Sequence, residues 1–431
     1  MQLNQEKQLQ YDVTVVGGGP AGMAAAIAAS DEGARVCLLE REEKIGGILK
    51  QCIHDGFGVL RFSEQLTGPE YAWRYAQELG RRPVDVLTRT FLTSIEKNGS
   101  SRDGYLLKIV NSQGLSRLET RTLVMAMGCR ERTDRQVFIH GERPAGIFTA
   151  GQAQDLINLK GYLPGKRCVI LGSGDIGLIM AQRLTLEGAS VEGLYEIGSE
   201  PSGLNRNVSQ CLEDYGIPLH LNSTVLEVQG RKRVEAVTVA RMERGIPVQD
   251  TVRTVPCDSL ILSVGLIPEN EMLQSLAPQM DERTRGPRVN QYMETSCPGV
   301  FSCGNALHVN DLVDYVSQSG ETAGRAAALY ASNRSGGDRG GEAELTAAGN
   351  LSYVLPQKLR LPAEGAVPLF FRVNKSAPRG KLTVTHEGTV ILEKTFRWLK
   401  AAEMERLDLD LSVFSGSNGG SVAVRMSEEG S

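Results

Sequence analysis

Residues 11–40 read YDVTVVGGGPAGMAAAIAASDEGARVCLLE. Tyr11 to Val16 is a β-rich apolar run that GGGPAG ends. An alanine-rich segment, Met23 to Ser30, follows, and Arg35 to Leu39 is a second apolar run closing on Glu40. Strand, glycine turn, helix, strand and terminal acid in that order predict a βαβ unit. Gly17, Gly19 and Gly22 hold the GxGxxG positions, straight after the strand and opening the helix. The first glycine permits the tight turn, the second lets backbone approach a pyrophosphate, and the third lets helix and strand pack closely. The helix N-terminus then offers free N–H groups and the positive end of its dipole to the phosphates. Glu40, 23 residues past Gly17, is placed to accept hydrogen bonds from a ribose diol.

The same order returns 155 residues later. Arg167 to Leu171 is the strand, GSGDIG (Gly172 to Gly177) the turn, Leu178 to Glu187 the helix, and Ser190 to Tyr195 the second strand, ending at Glu196. Gly172, Gly174, Asp175, Ile176, Gly177 and Glu196 are the expected contacts of this second dinucleotide site. An acid at the strand end favours the free 2′-hydroxyl of NADH, because it repels the 2′-phosphate of NADPH. No arginine follows Glu196 until Arg206, which agrees with NADH.

Around these units the composition excludes several classes. The 431 residues are 41% hydrophobic with a net charge of −4, so the chain is globular and has no basic field for nucleic acid. Eight cysteines without a close CxxC argue against a secreted disulfide scaffold and against a zinc module, and no metal site is expected. Val13 to Ser30 carries no charge, but its four glycines and one proline argue against a membrane span. MQLNQEKQLQ lacks the apolar core of a signal peptide, so a cytoplasmic protein is expected. After Tyr330 the character changes. Ala331 to Gly341, ASNRSGGDRGG, is a polar, glycine-rich linker. Beyond it alternation of period two dominates, at Leu382/Val384, Leu407/Leu409/Leu411 and Val422/Val424/Met426, and predicts a small antiparallel β-sandwich. With no cysteine of its own and no cofactor motif, this region is expected to fold semi-independently and to serve assembly rather than chemistry.

With two dinucleotide folds, the first beginning GGGPAG, the chain resembles the two-dinucleotide-binding flavoprotein oxidoreductases, relatives of glutathione and thioredoxin reductases. TLVMAMG (Thr122 to Gly128) and SLILSVGLIP (Ser259 to Pro268) resemble the family's two strand-to-crossover segments. PGVFSCGNA (Pro298 to Ala306) resembles its late FAD motif. The resemblance covers residues 10 to 330. It implies an α/β fold of two Rossmann-like domains: a discontinuous FAD domain at 1–150 and 270–330, and an inserted NAD domain at 151–269. A linker at 331–350 and the sandwich at 351–427 complete the division. By the same resemblance Gly17, Gly19, Pro20, Ala21, Gly22, Glu40 and Arg41 contact the FAD diphosphate and adenosine. Gly46 and Gly47 line the approach to the flavin, Gly128 and Gly265 mark the crossovers, and Gly304 and Asn305 meet the ribityl-phosphate end. Asn305 replaces the family's usual aspartate, which keeps a hydrogen bond and removes one negative charge.

The segments GGILKQCIHDGFG, LTGPEYA, MGCRER, GYLPGKR and CGNALHVNDLVDYVS are similar to an anaerobe-type subgroup of these FAD/NAD oxidoreductases. That likeness implies an electron-transfer subunit working beside a glycerol-3-phosphate-dehydrogenase-like flavoprotein and a small cysteine-containing protein. The broader lineage includes subunits of amine and amino-acid dehydrogenases. The redox dithiol of the disulfide reductases is absent. Cys52 is the only cysteine of the segment after Glu40, and a single thiol near a flavin is a candidate sulfenate former. His54 and His308 fall in segments that the family places beside the flavin, where general acid–base work or flavin hydrogen bonding is expected. The expected function is hydride exchange between NAD(H) and FAD, with a small molecule or a protein as the other redox partner. The alternatives are a stand-alone NADH oxidase or peroxidase using Cys52, and a non-catalytic nucleotide-binding assembly subunit.

Overall fold

The computed structural model describes residues 9–98, 104–334, 341–417 and 419–428. The signal-peptide reading of residues 1–8 and the linker reading of 335–340 lie outside the described residues. The chain forms two compact units, Met1–Cys129 with Pro268–Ser431, and Arg130–Ile267.

In the first unit β1 (Leu9–Val16), α1 (Pro20–Asp31) and β2 (Val36–Leu39) form the expected βαβ. β1 lies at the centre of its sheet, parallel to β2 and to the strand Gly114–Met125, and the strand Val300–Ser302 adds beyond the latter. The charge-free run from Val13 to Ser30 is therefore a buried strand and a buried helix. Among the described residues no helix is long and apolar enough to cross a membrane. α1 is alanine-rich because another helix, Val313–Ala331, lies directly on it. A Cβ on Gly320 would stand 2.1 Å from the Ala21 carbonyl oxygen, and one on Gly324 2.0 Å from that of Ala25.

In the second unit all strands of the main sheet are parallel. Their order is Leu219–His220, Ser190–Tyr195, Arg167–Leu171, Ser259–Leu262 and Ile147–Thr149. Because Ile147–Thr149 pairs with Ser259–Leu262, and His140–Gly141 with Ser223–Gln229, this unit starts near Arg130 rather than at 151.

The C-terminal region is a sandwich of a five-stranded and a three-stranded sheet. Leu382, Val384, Leu407, Leu409, Leu411, Val422, Val424 and Met426 all point into its core, as the alternation predicts. Two expectations need correction. Gly341–Gly349 is a strand rather than linker, and it runs parallel to Gly420–Glu428, so the sandwich is not wholly antiparallel. The region is also not set apart from the first unit. Side chains of a strand point alternately to its two faces. Val354, Leu369 and Phe371 enter the sandwich core, while Tyr353, Leu355 and Phe370 join the core built around β1 and α1.

Candidate functional site

The first glycine turn is a cradle that side chains would close. Gly17 has φ +105°, and a Cβ there would stand 2.4 Å from the Ala126 carbonyl oxygen. A Cβ on Gly22 would stand 1.7 Å from the Gly17 carbonyl oxygen, so only glycine lets α1 start this close to β1. Gly19 differs: the nearest atom to its Cβ position would be Gly47 Cα at 3.9 Å, which leaves room for a ligand against the backbone. α1 begins with Pro20, has no capping side chain and no acid in its first turn. Its N–H groups and dipole are therefore uncompensated, as an anion site requires. Glu40 is 7% exposed. Its Oε2 accepts from Gly18 N at 2.8 Å and its Oε1 from Glu42 N at 2.8 Å.

The second turn repeats the geometry of the first. A Cβ on Gly172 would meet the Ser263 carbonyl oxygen at 2.0 Å, and one on Gly177 would meet the Gly172 carbonyl oxygen at 2.5 Å. Gly174 again has room for a Cβ, which would meet nothing closer than Ser263 Oγ at 3.7 Å. Glu196, also 7% exposed, accepts from Ser173 N at 2.9 Å and Gly198 N at 2.8 Å, matching the bonds of Glu40. Ser173 Oγ adds a 2.5 Å bond to the same carboxylate. Asp175 is the difference. Its Oδ1 accepts from Leu204 N at 2.8 Å and from Asn207 Nδ2 at 2.7 Å, which draws the carboxylate to the 204–207 segment. Its backbone, with that of Ile176, still opens the helix Asp175–Leu186.

Most of the remaining expected cofactor residues lie in the first unit. Gly46 donates its N–H to the Gly18 carbonyl at 2.8 Å, and a Cβ on Gly47 would stand 3.0 Å from Gly19 Cα. Gly304 has φ +62°, and its Cβ would stand 2.8 Å from Ala21 Cβ. Asn305 donates from Nδ2 to Cys129 Sγ at 3.6 Å, next to Gly128, and its Oδ1 accepts from Asn310 N at 3.1 Å. Arg41 pairs with Glu269 at 3.6 Å on the surface. In the second unit Gly265, φ +99°, accepts from Arg132 N at 3.1 Å.

The three candidate catalytic residues are not equivalent. Cys52 ends the short helix Gly47–Gln51 and donates its thiol to the Ile48 carbonyl at 3.4 Å. Burial pushes this thiol up to about 12, so it is not a thiolate at neutral pH. His54 has Nδ1 3.1 Å from the Asp55 carbonyl and its ring beside Phe57. His308 is 3% exposed, with its ring 6.0 Å from that of Tyr353 and 5.9 Å from that of Phe370. Its Nδ1 has no hydrogen-bond partner among the described residues, and burial, followed by the charge of Arg372, pushes its pKa down to about 3. Its burial under the sandwich and its neutral form argue against the acid–base role expected for it. Tyr353, Phe370 and Arg372 were not singled out by the sequence, since no motif marks them.

None of the eight cysteines is joined in a disulfide, and among the described residues no group of three or more His, Cys, Asp or Glu could hold a metal. The cradle around Gly17, Gly19, Gly22, Gly47 and Gly304, with the buried acid Glu40, fits the phosphates and ribose of FAD. The turn closed by Glu196 fits a nicotinamide dinucleotide.

Such a pair of cradles defines a flavin-dependent NAD(P)H oxidoreductase. A family model described as pyridine nucleotide-disulphide oxidoreductase matches residues 11–331, and the chain belongs to that family. One of the opine oxidase subunits of Agrobacterium tumefaciens (strain Ach5) is 26% identical over 344 residues, 74% of this chain. The match spans 65% of the length of that relative. A ferredoxin–NADP reductase of Leuconostoc citreum (strain KM20) is 26% identical over 313 residues, covering 71% of this chain and 87% of that protein. The fold is that of thioredoxin reductase from T. acidophilum, with a TM-score of 0.60 at 23% identity. That alignment covers 76% of this chain and 99% of the other.

Proposed function

We propose that this chain exchanges hydride between NAD(H) and FAD as the electron-transfer subunit of a multi-subunit dehydrogenase in the cytoplasm. The observation that carries the reading is the duplicated cradle, each copy closed by a buried acid, in a chain without a redox dithiol. FAD, when bound, supplies the two-electron chemistry that no side chain here can supply. Ala21 and Gly22, at the open start of α1, hold its diphosphate on backbone N–H groups, Gly17, Gly19 and Pro20 shape the turn beneath it, and Glu40 holds its adenosine ribose. Gly46, Gly47, Gly128, Gly304 and Asn305 shape the path to the flavin end, and Gly172, Gly174, Gly177 and Glu196 hold the second dinucleotide. Glu196 selects NADH, because its buried carboxylate repels a 2′-phosphate.

The role within a larger enzyme is supported by the opine oxidase relative, itself one part of a multi-subunit protein, and by cysteines that form no internal disulfide to receive electrons. A second flavoprotein that oxidises an amine-, amino-acid- or glycerol-3-phosphate-like substrate, with a small cysteine-containing protein, is the proposed company. A Cys52 peroxidase is disfavoured by the raised thiol pKa. The test is anaerobic addition of NADH to the purified chain. Bleaching of the flavin absorbance, followed by steady reduction of a dye, is expected. A protein that binds no flavin, or whose flavin NADH leaves oxidised, refutes the reading.

A further inference from the structure

The late glycine motif, Pro298 to Ala306, is held from both sides by residues of the C-terminal sandwich. On its downstream side Asp311 lies just before the helix Val313–Ala331. Arg372, on the strand Ala366–Val373, donates to Asp311 Oδ1 and to the Ala402 carbonyl, and reaches the Val309 carbonyl at 3.4 Å. Met404 N donates to the other oxygen, Asp311 Oδ2, at 2.6 Å. The neighbouring residue, Asn310, donates from N and Nδ2 to Asn305 Oδ1 at 3.1 and 3.3 Å. A continuous line of contacts therefore runs from Arg372 through Asp311 and Asn310 to Asn305. Between its ends His308 is sealed by Tyr353 and Phe370.

The upstream side is built alike. Arg360 pairs at 2.6 Å with Glu294, whose side chain is only 3% exposed. Glu294 Oε1 in turn accepts from Gly299 N at 3.2 Å, at the start of the strand that leads to Gly304. Gln357 ties the same flank again: its N–H donates to the Val289 carbonyl and its side-chain oxygen accepts from Val289 N, each at 3.1 Å.

We propose that the C-terminal sandwich is a working part of the flavin site, in which Arg372 and Arg360 are positioning residues that hold Gly304 and Asn305 in the flavin-binding conformation. The inference rests on the FAD reading above and concerns residues that do not themselves touch the cofactor. Two features make the coupling strong. Glu294 is 3% exposed, so removing Arg360 leaves a poorly solvated charge behind, and Arg372, 18% exposed, holds Asp311, the Ala402 carbonyl and the Val309 carbonyl at once. The segment between them carries little regular structure, since residues 303–312 form only one short turn of helix, Gly304–Ala306, which Ser319 Oγ and Asn270 Nδ2 hold from the other side at the Gly304 N–H and the Ala306 carbonyl.

The test uses the full-length chain, stripped of flavin and reconstituted with FAD. Arg372→Ala should weaken FAD binding by roughly tenfold, the size of effect expected for losing a charge-assisted, partly exposed pair together with its carbonyl contacts. Arg372→Lys, which keeps the charge but not the fork, should recover part of it. Lys381→Ala removes an exposed ion pair with Glu393 within the sandwich and should leave FAD affinity unchanged. A purely structural role would lower the melting temperatures of the FAD-bound and FAD-free forms equally and leave affinity alone, which would overturn the proposal. Should Arg372→Ala fail to fold, hydrogen exchange on the unmutated chain decides. By reciprocity, flavin removal must lower protection at Tyr353–Leu355 and Phe370–Arg372. Unchanged protection there overturns the proposal. An unmutated chain that binds no FAD refutes the parent reading, whereas tight binding by both forms refutes the positioning role alone.

Discussion

Gly19 and Gly22 stand three residues apart in one turn and answer to different physics. A Cβ on Gly22 would collide with the Gly17 carbonyl at 1.7 Å, whereas one on Gly19 would meet only Gly47 Cα at 3.9 Å. Gly22→Ala should therefore lower both stability and flavin content. Gly19→Ala should leave the melting temperature of the flavin-free chain almost unchanged while lowering FAD affinity, because the methyl occupies the pyrophosphate's place. Thermal melts of the stripped proteins beside FAD titrations separate the two, and equal losses of stability would refute the distinction. Glu196 carries the second residue-scale prediction. Its carboxylate is held by Ser173 and Gly198, and the proposed reading makes it the acceptor for a ribose diol. Charge-assisted hydrogen bonds of this kind contribute ~1.5–3 kcal/mol, so Glu196→Ala should cut kcat/KM for NADH about tenfold or more. The gap to NADPH should narrow with it. Equal efficiency of the two nucleotides in the unmutated chain would show that Glu196 does not select.

Among the elements, the βαβ units were readable because their determinants are local. A strand, a glycine turn and a helix announce themselves within thirty residues, and the third glycine is forced by a contact five residues away, Gly22 on Gly17. Gly341–Gly349 was not readable. Only Ala343 and Leu345 of its side chains are fully buried, and its parallel partner, Gly420–Glu428, is remote in the chain. The same remoteness hid the surroundings of His308. Its neighbours Tyr353 and Phe370 come from strands beyond the glycine-rich segment, so its position beside the late motif suggested catalysis where packing decides burial. That burial has a measurable consequence. The folded imidazole is pushed down to about 3 from its ordinary 6.5. Between those values the unfolded chain binds a proton that the folded chain does not. Stability contributed by this group is therefore complete above pH ~6.5 and is lost as pH falls, by at most ~1.4 kcal/mol per pH unit. His308→Leu should flatten the loss of stability between about pH 6.5 and about pH 4 in urea titrations. An unaltered pH slope would mean that His308 is solvated in the folded protein.

For the whole molecule, the family name carries disulphide chemistry, and this sequence contains neither a CxxC nor a CxxxxC pair. Its eight cysteines are scattered through the first and second units, and no disulfide joins them. Burial pushes Cys37, Cys52, Cys257 and Cys303 up to about 12, and Cys168 and Cys211 to about 11. The thiolate is the reactive form, so none of these six is poised to attack a disulfide or a peroxide at neutral pH. The role that the sequence left open for Cys52 is opposed by burial that no cysteine spacing reveals. On the proposed reading, electrons taken from NADH leave through the flavin to an outside acceptor. Alkylation of the native chain with iodoacetamide at neutral pH should accordingly be slow, and it should leave NADH-to-dye turnover within about twofold of the untreated protein. Cys52→Ser should do the same. Mass spectrometry of the treated protein reports which thiols reacted. Rapid modification of Cys52 accompanied by loss of turnover would restore the thiol mechanism and remove the need for a separate electron acceptor.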